Sequence, residues 1–171
     1  MTESNGNIVL VTGAGRGIGK AIALAFAAEK KRVVITGRTT AVLEEAADEI
    51  RATGAEVLAS TCDVSQKPQV KNLQHKIESH FGAVQILVNN VGFAPAADFF
   101  DMPDSLWDEV MRVNVSSAYN CCKAFLAAMV GARWGRIINI GSTVARVAYP
   151  GISAYATSKH AIIGLTAARW R

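Results

Sequence analysis

Residues 8–20 read Ile8-Val9-Leu10-Val11-Thr12-Gly13-Ala14-Gly15-Arg16-Gly17-Ile18-Gly19-Lys20. Four consecutive apolar residues are the pattern of a short strand buried on both faces. A glycine loop follows directly, and after it the alanine-rich segment 20–29 has the composition of a helix. Strand, glycine loop and helix in that order make a phosphate-binding unit. The glycines permit a tight turn and let the backbone approach a pyrophosphate at the positive end of the helix. Gly13, Gly17 and Gly19 give the spacing G-x-x-x-G-x-G, not the more common G-x-G-x-x-G. By itself, such a loop is also what a flexible turn looks like.

Further along, apolar runs over 33–36, 57–60, 86–88 and 136–140 predict four more strands, the last of them buried, with helices between them. Thr39 or Thr40 can cap the second helix, whose apolar face is Leu43, Ala46, Ala47 and Ile50, and Gly54 ends it. The third helix shows Val70, Leu73, Ile77 and Phe81, ahead of Gly82. A long helix over 104–130 aligns Trp107, Met111, Asn114, Ala118, Cys122, Phe125 and Met129. Its second half, 118–130, is apolar on nearly every side, which predicts burial all round and a partner subunit against its outer face. Asn114 interrupts the stripe; a buried amide needs partners, so it either bends the helix or serves a site. Strands alternating with helices mean a doubly wound parallel α/β sheet of the Rossmann type, in one domain over 1–171.

Composition narrows the functional classes. The chain is 50% hydrophobic and 19% charged, which is globular and excludes disorder. The N-terminus has no basic region leading into an apolar run, so no signal peptide is expected, and a cytoplasmic protein is. No apolar stretch approaches the roughly 18 residues of a membrane span. Cys62, Cys121 and Cys122 lack metal-ligand spacing and are expected as reduced thiols, with no metal site. All 14 acidic residues fall within 1–109, beside 10 basic ones, while 110–171 carries 8 basic residues and no acid. Those basic residues are scattered among apolar elements without interleaved aromatics, which excludes nucleic acid. A phosphate-bearing ligand, or an acidic continuation absent from the sequence, accounts for the bias.

The candidate functional residues gather at expected strand tips, where open α/β sheets bind ligands. Beyond the second strand an acid would take ribose hydroxyls, whereas Gly37-Arg38 stands there; Arg38 and Arg16 are either solvated surface arginines or a pair for the 2′-phosphate of NADP(H). Asp63, beside Val64 at the third tip, is placed to accept from an adenine amino group, to cap the next helix with Ser65, or both. At the fourth tip, Asn89 and Asn90 can tie backbones together, and Gly92 lets a flat ring approach; a plain turn is the alternative. The apolar loop 93–100 suits a wall of a substrate pocket. Ser142 follows the fifth strand, and Tyr155 and Lys159 stand four apart on one helical face. A neighbouring ammonium favours a phenolate, and a serine hydroxyl can hold a carbonyl oxygen beside it. That is a proton-transfer site for interconverting a carbonyl and an alcohol.

Thr12-Gly13-x-x-x-Gly17-x-Gly19, Asp63-Val64, Asn89-Asn90-x-Gly92, Asn114, Ser142 and Tyr155-x-x-x-Lys159, in that order, resemble the motifs of the short-chain dehydrogenase/reductase family. The resemblance covers residues 8–171, and the chain is similar to the 3-oxoacyl-acyl-carrier-protein reductases and broad-range alcohol dehydrogenases. It implies that Tyr155 is the acid/base, that Lys159 lowers its pKa and holds the ribose, that Ser142 binds the carbonyl oxygen, and that Asn114 supports a proton relay through water. It also implies that Gly13, Arg16, Gly17, Ile18, Gly19, Arg38, Asp63, Val64, Asn90, Gly92, Tyr155 and Lys159 hold the cofactor. That cofactor is expected to be NADP(H) in preference to NAD(H), the substrate a small carbonyl compound or alcohol.

Val91 replaces the family's usual alanine. The larger departure is that the family continues past the Tyr155–Lys159 helix, whereas this sequence stops at Arg171. The domain is therefore expected to be incomplete at its C-terminus, with a substrate-covering segment missing and the fifth strand, 136–140, left as an open, hydrophobic edge that invites pairing with other chains. The alternative to an oxidoreductase is a truncated, catalytically inactive dinucleotide-binding fragment. If the fold is completed, a homo-oligomer is expected through the helices over 104–130 and 154–171.

Overall fold

The computed structural model describes residues 7–147 and 149–168. The end of the helix expected over 154–171 and the expectation for the extreme N-terminus fall on residues outside these.

Five parallel strands form one sheet in the order β3-β2-β1-β4-β5: β1 (Ile8–Thr12), β2 (Arg32–Gly37), β3 (Val57–Thr61), β4 (Ile86–Asn89) and β5 (Arg136–Asn139). Helices α1 (Gly17–Ala28), α2 (Thr40–Ala52), α3 (Lys67–His80), α4 (Asp104–Met111), α5 (Ser117–Gly131) and α6 (Ser153–Ala167) connect and cover it. The chain order reverses between β1 and β4, so the crevice used by ligands in such sheets opens there.

β1 is central and buried along its whole length, as its unbroken apolar run requires. Its side chains alternate between two cores. Val9 and Val11 join Ala23, Ala27, Leu43 and Ile50 on the α1–α2 side, whereas Ile8 and Leu10 join Val70, Leu73, Cys121 and Phe125 on the α3–α5 side. The loop after β1 is pinned to the neighbouring strand by Ala14 N–H donating to the Thr36 carbonyl at 3.1 Å.

Three expectations are corrected. β5 is not a buried strand: it lies at the sheet edge, and Ile138 is 42% exposed. Among the described residues β5 pairs only with β4, so it is not covered as β1 is. The helix over 104–130 is interrupted by a π-turn, Arg112–Ser116, between α4 and α5. Asn114 sits in that turn, buried, so the residue that broke the apolar stripe marks the irregularity. On α5, Tyr119, Lys123 and Val130 are exposed on the outer face, the side against which a partner subunit is expected. At α2, Thr39 holds the N-cap position without a side-chain cap bond, and Thr40 bonds the Thr61 hydroxyl instead.

Candidate functional site

The glycine loop wraps the start of α1, and close approach explains its composition. A Cβ at Gly19 would lie 2.4 Å from the Gly13 carbonyl oxygen and 2.5 Å from Asn90 Nδ2. Gly17 has φ +58, a left-handed conformation that suits glycine, and the space beside it is open. Asn90 ties the loop to β4: its Nδ2 donates to the carbonyls of Thr12 and Gly13 at 3.0 and 3.1 Å. Thr12 Oγ1 completes the tie, donating to the Val88 carbonyl at 3.3 Å and accepting from Asn90 N–H at 3.0 Å. The arrangement leaves the start of α1 clear, with Arg16 and Ile18 exposed beside it.

A cleft of about 530 Å³ runs from there across the strand tips, lined by Gly13, Arg16, Gly37, Arg38, Asp63, Val64, Asn90, Gly92 and Phe93, with Glu109 and Val113 on the far wall. Asp63 does not cap α3, whose N-cap position is Gln66 without a side-chain cap bond; it holds the turn before the helix, Oδ1 accepting from Ser65 N–H at 3.0 Å and Ser65 Oγ at 2.7 Å. Its other oxygen lies 3.6 Å from Arg112. Partial burial opposes ionisation, but the Ser65 hydrogen bonds and the charges of Arg112 and Arg38 outweigh it and hold the carboxyl below its ordinary value. Asp63 still lines the cleft.

Gly92 joins this cleft to the second group of residues. A Cβ there would stand 3.8 Å from both Asn114 Oδ1 and Lys159 Nζ. Asn114 is locked in place: Oδ1 accepts from Phe93 N–H at 2.7 Å, and Nδ2 donates to the Phe93 carbonyl at 2.9 Å and to Ser158 Oγ at 2.8 Å. Ser158 in turn donates to the Tyr155 carbonyl at 2.7 Å. The amide thus fastens the loop after β4 to α6. Lys159 is buried and donates to the Ile140 carbonyl at 2.8 Å. Burial pushes its ammonium below the ordinary lysine value. Its Nζ lies 5.9 Å from the centroid of the Tyr155 ring, over its face. A polar cavity of about 10 Å³, close to the room one water needs, is bordered by Asn89, Asn114, Asn139 and Lys159. Ser142 caps the short turn Thr143–Ala145, its Oγ accepting from Val144 N–H at 3.4 Å.

The structure therefore brings the glycine loop, Arg16, Arg38, Asp63, Val64, Asn90 and Gly92 to one cleft, and Asn114, Tyr155 and Lys159 to its inner end. Sequence reasoning missed Ser158, Arg112 and Asn120. Ser158 lies next to the Tyr155–Lys159 pair in sequence but on no recognisable motif. Arg112 and Asn120 act across to the tip of β3, a neighbour that helical periodicity does not reveal. Among the described residues no cluster of His, Cys, Asp and Glu could hold a metal ion, and no helix is long and apolar enough to cross a membrane.

A family model described as short chain dehydrogenase matches residues 7–169. The chain belongs to the short-chain dehydrogenase family. It is 39% identical to the 3-oxoacyl-[acyl-carrier-protein] reductase FabG of Pseudomonas aeruginosa over 163 residues, covering 95% of this chain and 66% of that protein. It thus spans just under two thirds of that relative's length. Its structure superposes on NAD+-bound xylitol dehydrogenase with a TM-score of 0.92 at 34% identity, covering 96% of this chain and 64% of the other. A metagenomic short-chain oxidoreductase in complex with NADP gives 0.90 at 34% identity, covering 94% and 73%. The doubly wound fold and the family are as the motifs implied.

Proposed function

We propose that this chain is the nucleotide-binding part of an NADP(H)-dependent oxidoreductase that interconverts a carbonyl and a secondary alcohol, with Tyr155 as acid/base. The observation that carries the reading is the position of Gly92. It lines the cleft that starts at the glycine loop, and it stands against Asn114 and Lys159 at the other end. The residues suit a dinucleotide: a glycine cradle at a helix start for a pyrophosphate, Asp63 and Val64 for an adenine, and a side-chain-free position at Gly92 for a flat ring. When bound, the nicotinamide gives or takes the hydride.

The chain's own residues handle binding and the proton. Arg16 and Arg38 meet a 2′-phosphate, since no acid occupies the place of Gly37 to repel it. Tyr155 exchanges a proton with the substrate oxygen, which Ser142 holds by hydrogen bond. Lys159, fixed by the Ile140 carbonyl, favours the phenolate and reaches the ribose. Asn114 keeps the loop after β4 and α6 in register, beside the cavity through which a water can pass the proton on. The named reductase relative makes a 3-oxoacyl thioester the first substrate class to try. A second copy of the chain against the exposed outer sides of α5 and α6, where Tyr119, Val130 and Ile163 stand, completes the proposed assembly.

Titration with NADPH and NADH tests the reading. A charge-assisted contact to phosphate is worth about 1.5–3 kcal/mol, so NADPH should bind tens of times more tightly. Equal affinities, or a preference for NADH, would contradict the arginine assignment.

A further inference from the structure

Arg112, the first residue of the π-turn, reaches across the cleft wall to the tip of β3. Its Nη1 donates to Ser65 Oγ and lies 3.6 Å from Asp63 Oδ2, while Nη2 lies 3.8 Å from Glu109. The Ser65 hydroxyl, having accepted from Arg112, donates to Asp63 at 2.7 Å, so a relay runs from guanidinium through hydroxyl to carboxylate. Asn120 secures the same turn from α5, its Nδ2 donating to the carbonyls of Val64 and Ser65 at 3.1 Å each. Asp63 is thereby gripped from the α4–α5 side.

Arg38 lines the same cleft as Asp63. Among the described residues it forms no ion pair, although its charge reaches Asp63. One carboxylate thus feels the charge of two guanidinium groups, and among the described residues only Arg112 is paired with it. A carboxylate paired with Arg38 would compete with any phosphate for that same cation.

We infer that Arg112 is a specificity-determining positioning residue: by holding Asp63 it leaves Arg38 free for the 2′-phosphate. The inference rests on the NADP(H) reading above. Without Arg112, Asp63 turns to Arg38, and a cofactor bearing the 2′-phosphate must displace it. A cofactor without that phosphate has nothing to displace. Arg112 therefore acts on the ratio of the two affinities, not on binding in general.

The test measures NADPH and NADH affinities in parallel for the chain and its variants. Arg112→Gln should lower the NADPH-to-NADH ratio by about three- to fivefold, the scale of a half-exposed ion pair. Arg112→Lys, which keeps a cation in place, should retain most of the ratio. Two double variants share the net charge of the starting chain and so remove long-range electrostatics from the comparison. In Asp63→Asn/Arg112→Gln the competitor is gone and the ratio should recover. In Glu109→Gln/Arg112→Gln the competitor remains and the ratio should stay low. Recovery in both doubles alike would overturn the inference in favour of net charge. Equal weakening of both cofactors by Arg112→Gln would reduce Arg112 to a structural role. A starting chain without any preference for NADPH would instead strike the underlying reading, and the inference would fall with it.

Discussion

Gly19 and Gly17 occupy the same loop for different reasons, and substitution separates them. At Gly19 a methyl group would run into the Gly13 carbonyl oxygen and Asn90 Nδ2, the atoms that close the cradle. Gly19→Ala should cost about 1–3 kcal/mol of stability, as overpacking does, and abolish measurable NADPH binding. Gly17→Ala meets no atom and incurs only left-handed strain of about 1–2 kcal/mol, so binding should weaken without being lost. Thermal unfolding and cofactor titration of the pair check both. At Lys159 the prediction concerns pH. Burial lowers its pKa from 10.5, so between the folded value and 10.5 the unfolded chain binds more protons, and stability rises with pH across that window. Lys159→Met should remove this rise in denaturation midpoints measured upward from neutral pH. The identities of these residues were readable from the motifs; their contacts were not. The ring-face position of Lys159 and the engagement of Asn114 by Phe93 and Ser158 depend on how α6 meets the loop after β4.

The interior elements were legible because each carries one period over its full length. β1 is the clearest case, and its Leu10, fully buried, is the point of greatest expected sensitivity. Leu10→Ala should destabilise by about 2–5 kcal/mol, seen as a lower denaturant midpoint with an unchanged slope. The π-turn was not legible, since one inserted residue leaves apolar positions on either side that still fit a continuous helix. Only Asn114 betrayed it. The core between α3 and α5 also sequesters the thiols. Burial and the neighbouring Asp63 charge push Cys62 up to about 11, and burial pushes Cys122 up to about 11. Alkylation at neutral pH should therefore follow unfolding, and rapid labelling of the folded chain would contradict this packing.

At the scale of the molecule, β5 is an edge strand of the sheet that the described residues form. Its outer flank adjoins a groove of about 420 Å³ lined by Leu126, Met129, Trp134, Ile137 and Thr166. An unpaired strand edge beside apolar surface is a template for association between chains. Residues 1–171 should accordingly self-associate in sedimentation, and Ile138→Lys should reduce that without altering the glycine loop. The apolar run 136–140 did not by itself show the exposure of Ile138, because a short apolar run looks the same in the middle of a sheet and at its rim; the open edge was legible only from the family pattern. Every role above depends on hydride transfer to a carbonyl carbon with Tyr155 giving the proton to its oxygen, and isotope transfer reads that step. The protein is incubated with NADPH deuterated at the nicotinamide C4 and with 3-oxoacyl thioesters or simple ketones. Deuterium should appear on the carbinol carbon of the alcohol product and fall by about a hundredfold or more in Tyr155→Phe while NADPH binding persists. Bound NADPH with no deuterium in any alcohol, or undiminished transfer in Tyr155→Phe, would contradict that chemistry.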